Sequence, residues 1–248
     1  MGKIIVVSGG NKRAVENYTP RSLVCPEPAS ATPFWLDLLS PSERVLHRIS
    51  IPFRFDPRAL KACLSYHHAP SCDDFGDYVF ITAFILEPSK KKLFIQRDMK
   101  IFLSSDYLIT IHKSTTSLLR LVPGFDGSTF TGTTALLLTL FDRSSLTLIR
   151  SFPSQENGKN ILANAEAQPS RDPSWWRLRN FRTALSGYVH LLDELAFVGA
   201  RFFQPEDKST VGSITLKICL LLDMISGWLD RMDRPAEIVL NAEKGKNS

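Results

Sequence analysis

Cysteine is scarce in this sequence and never paired. Four are present in 248 residues, at positions 25, 63, 72 and 219, and none has a second cysteine at the two-to-four-residue spacing of a zinc or redox motif. That usage excludes a disulfide framework and indicates a reduced, intracellular setting. A charged segment leading into an apolar one is missing from the first residues, so no secretory leader is expected. No run approaches the roughly 20 apolar residues that cross a bilayer. The most apolar helical stretch, "ICLLLDMISGWL" from Ile218, carries Asp223 inside it, and the chain as written is expected to be soluble. Neither G-x-x-x-x-G-K-[ST] nor G-x-G-x-x-G occurs, which leaves Gly9-Gly10 as a turn and not a phosphate loop. Charge of one sign is also not concentrated: 30 basic residues against 25 acidic ones give +5, scattered along the chain, and no nucleic-acid motif accompanies them. Nucleic acid is therefore not expected as a partner.

What is present is the composition of a globular protein, 44% hydrophobic and 22% charged. The organisation falls into three parts. Residues 1–33 hold a strand, "KIIVV", and a Pro-rich connector that cannot sustain a helix. Residues 34–132 form an α/β core. In "SPSE", Ser40 is placed as a helix N-cap with Pro41 at the first position and Glu43 closing a capping box, and the helix runs to about residue 49. Asp56 and Pro57 repeat the device for a helix to about residue 66. "DYVFITAFIL" reads as a strand covered on both faces, "KLFIQ" and "DMKIFLS" continue the sheet, and "YLITIH" alternates as a further strand. Residues 133–248 read as helical: "TTALLLTLFDRSSLTLIRSF", then a long helix capped by Asp172 and Pro173 that runs to Pro205, then another from about 210 to 232, interrupted at Pro235. The expected fold is α/β, a mixed sheet sandwiched between helical layers, with long C-terminal helices.

Chemistry-bearing residues concentrate in "CLSYHHAPSCDDFGDYVFI", residues 63–81. Cys63, His67, His68 and Cys72 are the ligand types that zinc prefers, but there is one arm and no second Cys/His pair downstream, since His47, His112 and His190 stand alone. The stretch therefore reads as a helix end, a turn at Ala69-Pro70 and a polar bend into a buried strand. Asp73, Asp74 and Asp77 remain as an acidic surface that either binds a cation or faces water. No Ser/His/Asp or Cys/His arrangement has local support, and Cys72 beside Asp73 lacks the positive neighbour that activates a thiolate, so catalytic residues are not expected.

The ordered series "WLDLLSPSE", "FDPRALKACLSYHHAPSCDDFGDYVFITAFIL", "DMKIFLSSDYLITIH" and "ALLLTLFDR" resembles the cytosolic domain of CorA-type divalent-cation transporters. Trp35, Leu36 and Asp37 match the family's Trp-hydrophobic-Asp start, and Asp56, Pro57 and Leu60 its second-helix motif. Ala69, Pro70 and Ser71 followed by Tyr78, Val79 and Phe80 stand where the family begins a strand, and residues 106–112, from Asp106 and Tyr107 through Thr110 to His112, match its Asn-Tyr-Leu-Val-Thr-Val-His strand. "LLDMISGWLD" resembles part of the family's stalk helix. The likeness covers residues 34–143 well and the later helices by pattern. Trp35, Tyr78 and Tyr107 are expected to pack the sheet against its helices.

The resemblance implies a domain on the cytoplasmic side of a membrane that senses divalent cations such as Mg2+, takes part in gating and assembles as a homo-oligomer, a pentamer in the family. No cofactor is required and no enzyme activity is implied; contact with the membrane would run only through segments outside this chain. Two departures stand against a full match. The family's two membrane helices and Gly-Met-Asn signature are absent, so the expectation is either a soluble portion cut before the membrane or a relative without a pore, a stand-alone regulatory or interaction module. A reading frame continuing past Ser248 into two apolar segments favours the first. The acidic pair that magnesium-sensing members place after the second-helix leucine is replaced by Lys61 and Ala62, which leaves the metal ligands unknown.

Overall fold

The protein is represented by a computed structural model, which describes residues 3–8, 11–16, 33–65, 69–88, 94–114, 132–151 and 173–246. Seven strands form one mixed sheet in the order β2-β1-β3-β7-β6-β5-β4. They are β1 (Lys3–Ser8), β2 (Asn11–Glu16), β3 (Phe34–Leu39), β4 (Ser71–Asp74), β5 (Val79–Pro88), β6 (Phe94–Leu103) and β7 (Tyr107–His112). All neighbours are antiparallel except the central pair β3 and β7, which run parallel with Asp37 opposite Thr110 and Leu39 opposite His112. Residues of a strand alternate between its two faces, and here the two sets feed two separate cores. Phe34, Leu36, Leu38, Phe80, Phe102, Ile109 and Ile111 pack beneath α1 (Glu43–Phe53) and α2 (Pro57–Leu64). Trp35, Val79, Ile81, Met99, Ile101 and Leu108 face α3 (Thr133–Ser151), α4 (Pro173–Val198) and α5 (Pro205–Lys246). The expected sheet between helical layers, with long C-terminal helices, is what the chain builds.

Aromatic rings fill the first core. Phe55 stacks on Phe102 with centroids 3.9 Å apart, Phe53 meets Tyr107 edge-on at 4.7 Å, and Tyr78 meets Phe55 edge-on at 5.1 Å. Such pairs contribute about 0.5–1.5 kcal/mol each beyond the area they bury. The Tyr78 hydroxyl accepts the Asp56 backbone N–H at 2.8 Å, so the ring that packs the sheet also fixes the start of α2. Trp35, Tyr78 and Tyr107 all have the packing roles expected of them.

The local reading fails where tertiary contacts decide. Asp56 caps α2 as expected, its Oδ1 accepting the Arg58 N–H at 2.7 Å. Ser40 does not cap α1. Its backbone takes a left-handed φ of 48° and its N–H donates to the His112 carbonyl at 2.7 Å, so the helix begins only after Ser42, which makes no side-chain cap. The polar bend before β5 contains a short strand, β4, whose pairing with β5 and not its own sequence sets its shape. "KLFIQ" and "DMKIFLS" merge into the single strand β6. The helix α5 starts at Pro205 and continues through Pro235 instead of ending there; an interior proline removes one i→i−4 bond but leaves the turns on either side able to form. Asp172 and the Gly9-Gly10 pair lie outside the described residues.

The expectation of no membrane-length segment is also corrected. Within α5, Pro205–Asp230 is long and apolar enough, by length and composition, to cross a bilayer. One side of it has a use inside the fold: Val211, Ile214, Ile218, Leu221, Ile225 and Leu229, spaced three or four residues apart, are buried in the second core. Only 28% of its most apolar window is buried, however, and Leu216, Leu220 and Met224 stay exposed along another side.

Among the described residues, the second core holds one unsatisfied buried side-chain group. The Tyr188 hydroxyl is fully buried with no hydrogen-bond partner, and an orphaned polar group costs about 1–3 kcal/mol. Replacing Tyr188 with Phe keeps the ring contacts to Phe84 and Phe141 and removes that cost. Urea unfolding is expected to show the variant as stable as the parent or up to about 2 kcal/mol more so; a clear loss of stability would mean that the hydroxyl has a partner.

Candidate functional site

The cysteines of the 63–81 stretch are separated by the sheet. Cys63 is buried on α2 in the first core, while Cys72 on β4 packs against the second. Burial pushes each thiol up to about 12, with the Glu194, Asp73 and Asp74 carboxylates adding to the effect at Cys72. Both are therefore neutral thiols at physiological pH and poor ligands or nucleophiles. His67 and His68 lie outside the described residues, and among those described no group of three His, Cys, Asp or Glu side chains is placed to hold a metal.

The acidic surface is partly committed elsewhere. Asp74 receives a bidentate pair of hydrogen bonds from Arg201, Nη1 to Oδ2 at 2.7 Å and Nη2 to Oδ1 at 2.6 Å, and its Oδ1 also accepts the Gly76 N–H at 2.8 Å. Those contacts, Arg201 first, hold its carboxyl below the ordinary carboxylate value. The turn that supplies the Gly76 N–H depends on glycine, whose φ is +82°. Arg201 sits in the 3-10 turn Gly199–Arg201 between α4 and α5, so the clamp ties the edge strand to the junction of the long helices. Asp73 and Asp77 remain exposed beside it. Nothing in "GARFF" signals a partner 127 residues away, and sequence reading missed Arg201 for that reason. Lys61 is exposed on α2, with Ala62 beside it.

A second polar centre lies in the middle of the sheet, and it unites two motifs that the sequence shows only separately. Trp35 and Asp37 on β3 meet Thr110 and His112 on β7, all four at most 6% exposed. Trp35 Nε1 donates to Thr110 Oγ1 at 3.0 Å, Thr110 donates to Asp37 Oδ1 at 2.5 Å, and His112 Nε2 lies 2.9 Å from the same carboxylate oxygen. His112 Nδ1 faces the Ser114 carbonyl at 2.8 Å. Both ring nitrogens thus meet groups that only accept, and an imidazole can donate from both only when charged. Burial opposes that charge, but the hydrogen bond to Asp37, its negative charge, the Ser114 carbonyl and the more distant Glu87 outweigh it and raise the His112 pKa above the ordinary 6.5.

Residues 30–151 match the family model described as CorA-like Mg2+ transporter protein. That segment is CorA-like. The fold of the chain is shared with solved structures: the soluble domain of CorA from Methanocaldococcus jannaschii superposes with a TM-score of 0.70 at 15% identity, covering 96% of each chain. The complete CorA magnesium transporter of the same organism gives 0.66 at 15% identity, over 98% of this chain and 78% of that one. The ZntB cytoplasmic domain from Vibrio parahaemolyticus RIMD 2210633 gives 0.63 at 9% identity, over 99% of this chain and 100% of that one. Identities this low establish shared architecture and nothing finer. No curated protein gives a significant match.

The charged pair sets a pH dependence with a definite sign. A histidine whose pKa is higher folded than unfolded stabilises the fold fully below about pH 6.5, and that stabilisation is lost as pH rises through the folded value. Urea unfolding from pH 6 upward is expected to show this decline. In Asp37→Asn the decline should disappear, with stability at pH 6 falling by about 3 kcal/mol because a buried ion pair has lost one member. A slope unchanged in the variant would assign the titration to another group.

Proposed function

We propose that this chain is the cytoplasmic-side soluble part of a divalent-cation transport system, in which the α/β core and α5 together serve subunit assembly and gating. The observation that carries this reading is the uncovered side of α5. Leu216, Leu220 and Met224, four residues apart and 62%, 53% and 42% exposed, form an apolar strip on a 42-residue helix whose opposite side is anchored in the core. A second copy of the chain offers the same strip and would bury it. Movement along α5 would reach the α/β core through the helix junction that Arg201 clamps to Asp74.

Sedimentation tests the assembly. Weak, concentration-dependent association is expected up to about 100 µM, consistent with a small contact, and Leu220→Glu should abolish it without lowering Tm. A monomer across the whole range would remove the support for this reading.

A second reading, a regulatory or interaction module without its own cation response, is favoured by the residues at the inherited sensing positions. Lys61 and Ala62 offer no oxygen anion, and a hard cation such as Mg2+ requires several oxygen ligands. Asp74, the nearest substitute, is held by Arg201. A ligand that binds only the folded state raises Tm as it saturates. We expect millimolar Mg2+ to shift Tm no more than a monovalent salt at matched ionic strength, which also controls for screening. A saturable, magnesium-specific rise that vanishes on replacing Asp73 and Asp74 with Asn would restore the acidic loop as the sensor; one that survives would place the sensor elsewhere in the chain.

A further inference from the structure

The outer side of the α1 and α2 layer is basic. On α1, Arg44, Arg48 and Ile51 follow one another at spacings of four and three, and so share the side turned away from the buried Val45, Leu46, Ile49 and Phe53. On α2, Lys61 and Leu64 share the side turned away from Ala59 and Cys63. Both helices lie over one face of the sheet, so the two stripes face outward together, with Arg54 exposed at the link between them. Ile51 and Leu64 are 66% and 43% exposed within this surface. Arg58 is engaged with Asp56 through Nε at 3.1 Å and Nη2 at 3.2 Å. Arg44, Arg48, Arg54 and Lys61 make no ion pair among the described residues. Glu43 on α1, and Asp73 near Arg58, offset part of their charge and leave the basic side in excess. The residues outside the described ones carry more basic than acidic side chains, so they hold no reserve of acid to cover it.

The opposite character appears on the other face of the sheet, at the end of α4. Asp193, Glu194 and Phe197 lie on its outward side, away from the buried Leu191, Leu192 and Leu195. Phe197 is 86% exposed, more than any other large apolar side chain among the described residues. Neither acid makes an ion pair among those residues, and the last turn of α4 holds no basic side chain. A helix carries partial negative charge at its C-terminal end, so two acids near it are not stabilised by their own helix. Arg201, just beyond, is committed to Asp74, and the start of α5 adds Glu206 and Asp207 against Lys208.

We propose that the basic outer face of α1 and α2 receives the acidic end of α4 from a second copy of the chain, with Phe197 set against Ile51 and Leu64 and the carboxylates of Asp193 and Glu194 against Arg48 and Lys61. The contact extends the assembly reading given above and is separate from the α5 strip. Charge is complementary between the two surfaces and each carries exposed apolar side chains at its middle, which is what a second copy offers and water does not. The two surfaces cover opposite faces of one sheet, so a single copy cannot bring its own pair together. The contact is therefore heterologous, the basic face of one copy meeting the acidic end of the next, and it leaves each copy with one surface of each kind to offer onward.

Sedimentation with charge reversal decides it. Association of the parent is expected to weaken between about 50 and about 500 mM NaCl, as screening shortens the reach of the charges. Arg48→Glu with Lys61→Glu, and separately Asp193→Lys with Glu194→Lys, should each weaken association about tenfold, with Tm kept within about 2 °C because the sites are exposed. An equimolar mixture of the two variants should associate as the parent does, since each reversed surface then meets its reversed counterpart. A mixture as weak as its components, or either variant associating like the parent, overturns the proposal. Leu220→Glu separates this contact from the α5 strip. If that change leaves association intact while the charge variants remove it, the strip fails and this contact stands; if Leu220→Glu acts and the charge variants do not, the strip stands and this contact fails. A parent that is monomeric throughout removes both.

Discussion

The sheet is organised around a buried acid that must be satisfied. Asp37 lies on one strand of the central pair, almost without access to water, and a carboxylate in that position is tolerated only if donors surround it. Thr110 and His112, both on β7, supply them, and Trp35 completes the chain through Thr110. These bonds form only when β3 and β7 lie side by side in parallel at one register, because sliding either strand by one residue would turn its partners to the other face. The register of this parallel pair is thereby specified by chemistry as well as by shape. Everything outside β3 on one side and β7 on the other is built from antiparallel neighbours, which local turns can set.

The same alternation that points Asp37 and His112 to one face sends Leu36, Leu38, Ile109 and Ile111 to the other, so a single strand pair serves two cores of different character. The side under α1 and α2 is small and dominated by stacked rings. The side under α3, α4 and α5 is larger and aliphatic, with its apolar residues drawn mostly from helices. The helices α3, α4 and α5 thus complete the sheet's second cover.

Much of this was legible in the sequence where the determinants are local. Asp56-Pro57 announced a helix start and the helix starts there; "YLITIH" and "DYVFITAFIL" announced strands, and their apolar residues are buried. Legibility ended where a residue's role depends on a partner far along the chain. Ser40 carried the signature of a cap but is drawn into the sheet by the His112 carbonyl 72 residues later. The Trp35-Asp37 and Thr110-His112 pairs were visible as separate motifs, yet their union was not, because nothing within either strand specifies its neighbour. Arg201 and Lys100 left still less trace. An arginine in a helix junction and a lysine inside an alternating strand are read as solvated charges, and only the assembled fold shows one clamped to Asp74 and the other enclosed.

The short strand β4 has a consequence for how copies of this chain can meet. It closes one side of the sheet over only four residues of β5, and its last two positions carry exposed carboxylates, one of them gripped by the long-helix junction. A foreign strand aligning along that rim would have to desolvate Asp73 and compete with a bidentate guanidinium for Asp74, so the rim is a poor template for adding strands. Contacts between copies are thereby steered away from open-ended sheet growth and towards helical surfaces, where geometry can close on itself.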